Sequence, residues 1–273
     1  MKIGGTCIIL GLVRDTPYFH SMKLQYCSDL HLEMPANAAH MKKYPLKPKG
    51  EVLILAGDIL PFTLQKKETE FIDIIADHFE QVYWVPGNHE YFGGDAATIA
   101  NPLLEKLRSN IWLVNNQVVD YKGVNFICTT LWSKIEVLHA LDIQRSVTDF
   151  RNIEWEGGRF STREFNQLHN QSIAFLEKAF KETSTENRIV VTHHVPTKQN
   201  YPNRYKNSPV NGAFVTELFD LVRDSGARYW IYGHHHYNIP SFTIGNTTML
   251  TNQLGYVQRG ENNWFNREAV VEV

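Results

Sequence analysis

The chain has 273 residues, 43% hydrophobic and 21% charged, with a formal net charge of -2. That is the composition of a soluble globular protein with ample apolar material for a core, and it excludes a whole-chain basic field for gripping duplex nucleic acid. Three cysteines (Cys7, Cys27 and Cys128) at unrelated spacings, with no CxxC pair, exclude a disulfide framework and point to a reducing, cytoplasmic setting.

The first apolar stretch, Ile3 to Val13, falls short of the roughly 20 residues a membrane-spanning helix needs. No small-residue cleavage site follows it, so a signal peptide is disfavoured. "MKLQYCSDLH" opens like a first strand, so residues 1–21 read as an upstream extension and residues 22–273 as a single domain. No later segment is long and uncharged enough to span a membrane.

From there, short apolar runs end in polar clusters. Lys23–Cys27 runs into Ser-Asp-Leu-His, and Val52–Ala56 into Gly-Asp. Phe71, Ile74, Ile75 and Phe79 keep the spacing of one helix face. Val82–Pro86 runs into Gly-Asn-His-Glu. Val124–Cys128 is a strand leading into "TTLWSKI", where Trp132, like Trp155 further on, reads as core or wall. Ser161 with Glu164 signals a capping box ahead of Phe165, Leu168, Phe175, Leu176 and Ala179. Arg188–Thr192 runs into His-His and then a long aperiodic loop carrying Tyr201, Arg204, Tyr205 and Lys206, placed as a lid or substrate wall. Its aromatics suit a nucleobase and its cations a second phosphate. Phe214, Leu218, Leu221 and Val222 repeat a helical pattern, and Arg228–Tyr232 runs into Gly-His-His-His. A hairpin through Gly245-Asn246 and a terminal "AVVEV" strand suggest a second sheet with more antiparallel pairing. Strand–helix alternation with continuous apolar runs predicts a layered α/β architecture.

In such folds ligands gather beyond the carboxyl ends of the strands. Five strand ends carry Asp29 and His31; Asp58; Asn88 and His89; His193 and His194; and His234 to His236. Each alone reads as a turn residue, a cap or a hydrogen-bonded histidine. Five strands all ending in oxygen or imidazole donors point to a metal.

The ordered set Asp29-x-His31, Gly57-Asp58, Gly87-Asn88-His89-Glu90, His193-His194-x-Pro196 and Gly233-His234-x-His236 resembles the calcineurin-like metallophosphoesterase superfamily. The resemblance implies a four-layer α/β/β/α sandwich of two mixed sheets flanked by helices, a two-metal site at the loop ends, and hydrolysis of phosphate esters. It implies that Asp29, His31 and His236 hold one cation, that Asn88, His193 and His234 hold the other, and that Asp58 bridges them. Where the motif needs one imidazole and the chain offers two, His193 is taken as the first residue off the strand. His194 is left as a neighbour of the ligands or a substrate contact. Alternation sends His234 and His236 to one side and turns His235 away, to a structural or solvent-facing place.

Two divalent ions with two carboxylates and neutral imidazoles and amide leave about two surplus positive charges, which attract an anionic ester. Cations roughly 3.5–4 Å apart share and acidify a water for in-line attack on phosphorus, and fixed charge stabilises the phosphoryl oxygens. His89 is the candidate to protonate the leaving oxygen, and Glu90 to orient an imidazole through its ring N–H. With no thiolate present, the donors suit Mn, Fe, Mg, Co or Zn. The expected partner is a small phosphorylated monoester or diester. A nuclease of the same superfamily would need a basic groove, a non-catalytic scaffold would not need every ligand and His89, and a His-rich metal store would not need Asn88 and the acids.

Overall fold

The structure, a computed structural model, describes residues 21–67, 69–184 and 187–273. Apart from Ser21, the expected extension over residues 1–21 lies outside the described residues, as does Cys7. In chain order the elements are β1 (Lys23–Cys27), α1 (Pro35–Lys43), β2 (Val52–Ala56), α2 (Thr69–His78), β3 (Gln81–Val85), β4 (Gly94–Asp95), β5 (Leu103–Arg108), β6 (Ile111–Asn115), β7 (Gln117–Tyr121) and β8 (Val124–Thr129). They continue with α3 (Ala140–Ser146), α4 (Asp149–Asn152), β9 (Ile153–Trp155), β10 (Gly158–Arg159), α5 (Thr162–Glu182), β11 (Arg188–Thr192), α6 (Phe219–Arg223), β12 (Tyr229–Ile231), β13 (Phe242–Ile244), β14 (Thr247–Leu250) and β15 (Val270–Glu272).

Two six-stranded sheets form the centre, in the orders β15-β1-β2-β3-β6-β5 and β13-β14-β12-β11-β8-β7. Each has four parallel strands inside and one antiparallel strand at either edge. The chain crosses between them at Asn116, in a left-handed turn between β6 and β7. Between the sheets lies a core of Leu24, Ile54, Val85, Phe126, Val191 and Ile231 among others. The outer face of the first sheet packs on Met41 of α1 and on Ile72 and Ile75 of α2. The outer face of the second packs on Leu176 and Ala179 of α5 and Val222 of α6. The result is the four-layer sandwich of mixed sheets and helices. Central strands covered on both faces account for the unbroken apolar runs: every residue of β2 and of β11 is buried.

The capping box at the start of α5 is formed, with Ser161 and Glu164 each satisfying the other's backbone. Three expectations need correction. The buried face of α2 runs through Ile72 and Ile75, while Ile74 is exposed, because an apolar triplet at 72, 74 and 75 fits two faces a fraction of a turn apart. The helical pattern from Phe214 shrinks to α6, with Leu218 as its N-cap. The hairpin β13–β14 forms in the second sheet, but that sheet is no more antiparallel than the first, because β14 lies parallel to β12 and β15 closes the edge of the first sheet against β1.

Candidate metal centre

The loops leaving β1, β2, β3, β11 and β12 meet at one end of the sandwich, tied together by backbone hydrogen bonds. Asp29 N donates to Gly57 O at 2.9 Å, His31 N to Asp58 O at 2.9 Å, and Gly233 N to His193 O at 3.0 Å. Asp29, His31, Asp58, His234 and His236 have φ of 56°, 45°, 56°, 78° and 48°. Left-handed backbone at a non-glycine residue costs about 1–3 kcal/mol and persists where surrounding structure enforces it, although Asp and His tolerate it better than most. Five of the ten such residues among the described ones are donors of this cluster. Space is equally constrained. A Cβ on Gly57, itself at φ +90°, would overlap the His193 ring, and one on Gly87 would overlap Asp58 Oδ1. Glycine at both positions lets the donors approach.

The donors form two groups joined by one carboxylate. In the first, His31 Nε2 lies 2.9 Å from His236 Nε2, which lies 3.3 Å from Asp29 Oδ1. In the second, His193 Nε2 lies 3.0 Å from His234 Nδ1 and 3.2 Å from Asn88 Oδ1. Asp58 Oδ2 faces both, 3.8 Å from His31 Nε2 and 3.3 Å from His193 Nε2. All seven residues are buried except His236, which is partly so.

The far nitrogen of each imidazole meets a fixed acceptor. His31 Nδ1 is 3.1 Å from Glu33 Oε1, His193 Nδ1 2.8 Å from Ala56 O, His234 Nε2 3.2 Å from Ala213 O, and His236 Nδ1 2.7 Å from Glu261 Oε2. An acceptor there fixes the ring proton on the outside and turns the other lone pair inward, as a metal ligand requires. The carboxylates draw positive charge to the cluster. Burial pulls His193 and His236 down, yet Asp58 beside the first and Asp29 beside the second override it, raising them to about 9 and about 10. Burial lowers His31, and burial with the neighbouring His194 takes His234 well below the ordinary range. Converging nitrogen and oxygen donors, inward lone pairs, two carboxylates and no thiolate fit hard or borderline divalent cations.

The sequence profile of the calcineurin-like phosphoesterases matches residues 22–238, most of the chain. The chain belongs to the calcineurin-like phosphoesterase family. It is therefore a hydrolase acting on phosphoester bonds. It is similar to uncharacterized protein L509 of Acanthamoeba polyphaga mimivirus, with 30% identity over 276 residues that cover 92% of this chain and 96% of that one. Among solved structures it resembles phosphopantetheinyl hydrolase (PptH) from Mycobacterium tuberculosis, with a TM-score of 0.67 and 18% identity over 92% of this chain and 95% of that one. At that identity the second likeness bears on the fold alone.

Around the phosphoesterase cluster, several residues differ from what the sequence suggested. Glu90 touches no imidazole. Burial and then the Asp58 charge push its carboxyl up to about 7, while backbone donors pull it down. Its Oε1 accepts from Ile59 N, Leu60 N and Trp84 Nε1, and its Oε2 from Asp58 N and Gly87 N. It therefore pins the loops bearing Asp58 and Asn88 to each other. His194 is fully buried behind the cluster, 4.1 Å from the His234 ring and 5.3 Å from Trp132 between centroids, and does not line the cleft. His235 turns from both donor groups as expected but is buried, stacked on Tyr201 and bonded to Gln253, with one side on the cleft. His89 reaches the cleft, with Nδ1 2.9 Å from Glu33 Oε1, its ring stacked on Phe92, and Nε2 3.4 Å from Tyr256 Oη.

Sequence reasoning missed Glu33, Asp149, Tyr256, Arg259 and Glu261. Asp149 Oδ1 accepts from Asn88 Nδ2 at 2.9 Å, which presents the amide oxygen to the cluster. Glu33 holds both His31 and His89, and those contacts take it down to about 2 against the burial that raises it. The "TTLWSKI" segment is mostly buried, with Trp132 in the core beneath the site and Trp155 only partly buried at its edge. The long loop does wall the cleft with Tyr201 and Tyr205, but Arg204 stacks on Tyr205 and Tyr237, and neither it nor Lys206 lines the cavity.

Proposed function

We propose that this phosphoesterase is a metal-dependent phosphohydrolase with a dinuclear centre, acting on a small phosphorylated substrate. Asp29, His31 and His236 would hold one cation, Asn88, His193 and His234 the other, and Asp58 both. The observation that carries the reading is the place of Asp58 Oδ2 between His31 and His193. Bound there, two divalent cations of the Mn, Fe, Mg, Co or Zn class would supply Lewis acidity toward a phosphoryl oxygen and an ionised water at neutral pH.

The chain's own residues do the rest. Glu33 and Glu261 keep His31 and His236 in register, and Ala56 O and Ala213 O do so for His193 and His234. Asp149 orients the Asn88 amide. His89 has Nδ1 committed to Glu33 and Nε2 turned toward the cleft beside Tyr256 Oη, so Nε2 is the atom that hands a proton to the leaving oxygen. A cytoplasmic setting is supported by Cys27 and Cys128, which are both free and buried. No helix among the described residues is long and apolar enough to cross a membrane, and the formal charge of -2 offers no basic field for nucleic acid.

The test is hydrolysis of p-nitrophenyl phosphate and bis(p-nitrophenyl) phosphate by chelated and manganese-reloaded protein. Activity should vanish on chelation, return with the metal, and be absent in Asp58→Asn at any metal concentration. Full turnover by chelated protein, or by the variant, contradicts the proposal.

A further inference from the structure

The cleft over the cluster is two chambers rather than one. The first, about 380 Å³, is lined by Asp58, His234 and His236 of the cluster and by Tyr205, Val210 and Phe214, the last stacked on the His234 ring. The second, about 510 Å³, is walled by Glu33, Pro61, Thr63, Phe92 and Asn152. Four residues line both and so form the seam: His89, Thr148, Tyr256 and Arg259.

The position of His89 assigns the chambers. A phosphoryl group resting on the cluster lies in the first chamber, and its leaving oxygen must come within hydrogen-bond reach of His89 Nε2, at the seam. The departing group then extends into the second chamber. A monoester has nothing further to place. The part of the first chamber that Tyr205 and Val210 line, neither of which reaches the second, would hold only water. A phosphoryl group substituted on both sides fills both, with its retained substituent against Tyr205, Val210 and Phe214.

Arg259 adds a charge argument. Among the described residues it is the one Lys or Arg lining either chamber. It is exposed, rests its guanidinium 4.8 Å from the Tyr256 ring centroid, and has no ion pair among the described residues. A free guanidinium beside a phosphoryl site is placed to meet another anionic oxygen.

We infer that the substrate is a phosphoryl group substituted on both sides, a phosphodiester or a diphosphate linkage, spanning the two chambers across the His89–Arg259 seam. This rests on the dinuclear reading above and narrows its substrate class.

The experiment compares p-nitrophenyl phosphate, bis(p-nitrophenyl) phosphate and a dinucleoside diphosphate on metal-loaded protein. Wild type should show kcat/KM at least about tenfold higher for one of the two-sided substrates than for the monoester. Ser146→Trp and Ser208→Trp each add bulk to the lining of the first chamber at residues that belong neither to the cluster nor to the seam. Each should cut two-sided turnover about tenfold while leaving the monoester within about twofold; two separate variants guard against one of them disturbing its own loop. Arg259→Gln distinguishes the sources: a loss confined to the diphosphate assigns that linkage, an equal loss of both two-sided substrates assigns the diester, and retention of both contradicts the part given to Arg259. A wild-type preference for the monoester, or both tryptophan variants affecting all substrates alike, overturns the inference. Hydrolysis of none of the three by metal-loaded protein instead fails the dinuclear reading beneath it.

Discussion

Replacing Glu90 with Gln tests how the site is held, because the two side chains have the same shape and differ only in what they accept. In the native protein, two N–H donors point at Oε2 and three at Oε1, all within 3.3 Å. An amide nitrogen at either position faces at least two donors and can accept from neither. Each buried donor so stranded costs about 1–3 kcal/mol, giving a total of about 2–6 kcal/mol. For a domain of this size that is a fall in melting temperature of at least about 4 °C. The assay is thermal unfolding followed by circular dichroism, first with chelator so that metal binding does not contribute, then with manganese. Glu90 joins the Asp58 and Asn88 loops, so the loss should be larger with metal than without it. Melting within about 1 °C of wild type under chelation, where about 4 °C is expected, would refute the reasoning, because the five donors would then not depend on this carboxylate.

Other expectations follow from single contacts. Asp149→Leu frees the Asn88 amide to rotate and should weaken one of two manganese sites by about 10–100-fold in a chelator competition; two unaltered affinities would show that Asp149 does not orient the ligand. His193→Ala should bind one metal fewer per chain, whereas His194→Phe should keep the full complement, as judged by elemental analysis; the reverse pattern exchanges the two histidines. Cys128 is fully buried and burial pushes its thiol up, so iodoacetamide should leave it unmodified in native protein and alkylate it in urea. Native labelling at Cys128 would mean that the space between the sheets opens readily.

Much of the candidate site was legible because its donors sit at strand ends. Central strands such as β2 and β11 read as unbroken apolar runs, and the first polar residue past each run marks where the chain leaves the core. Asp58, Asn88, His193 and His234 occupy such places, and Asp29 and His236 follow within two residues of one. The supporting residues carry no local mark. Asp149 lies 61 positions from the Asn88 it orients, and Glu261 lies 25 from His236; only the meeting of the loops makes them neighbours. Glu33 stands two residues after His31, and only the left-handed turn at His31 folds it back onto the ring. Glu90 was assigned the wrong partner for a related reason. An imidazole N–H is the partner expected of it, but a buried carboxylate beside two tight loops meets backbone N–H groups first. Edge strands β13 and β15 were visible as strands, whereas their sheets depend on long-range pairing that no local pattern encodes.

The central claim is that seven dispersed side chains hold two cations joined by Asp58. A crystal structure of the manganese-loaded protein, with anomalous scattering recorded at the manganese edge, tests it most directly. The account predicts two peaks roughly 3.5–4 Å apart, one ringed by Asp29, His31 and His236, the other by Asn88, His193 and His234, with Asp58 between them. A single peak, or a pair of peaks that Asp58 does not touch, would contradict it.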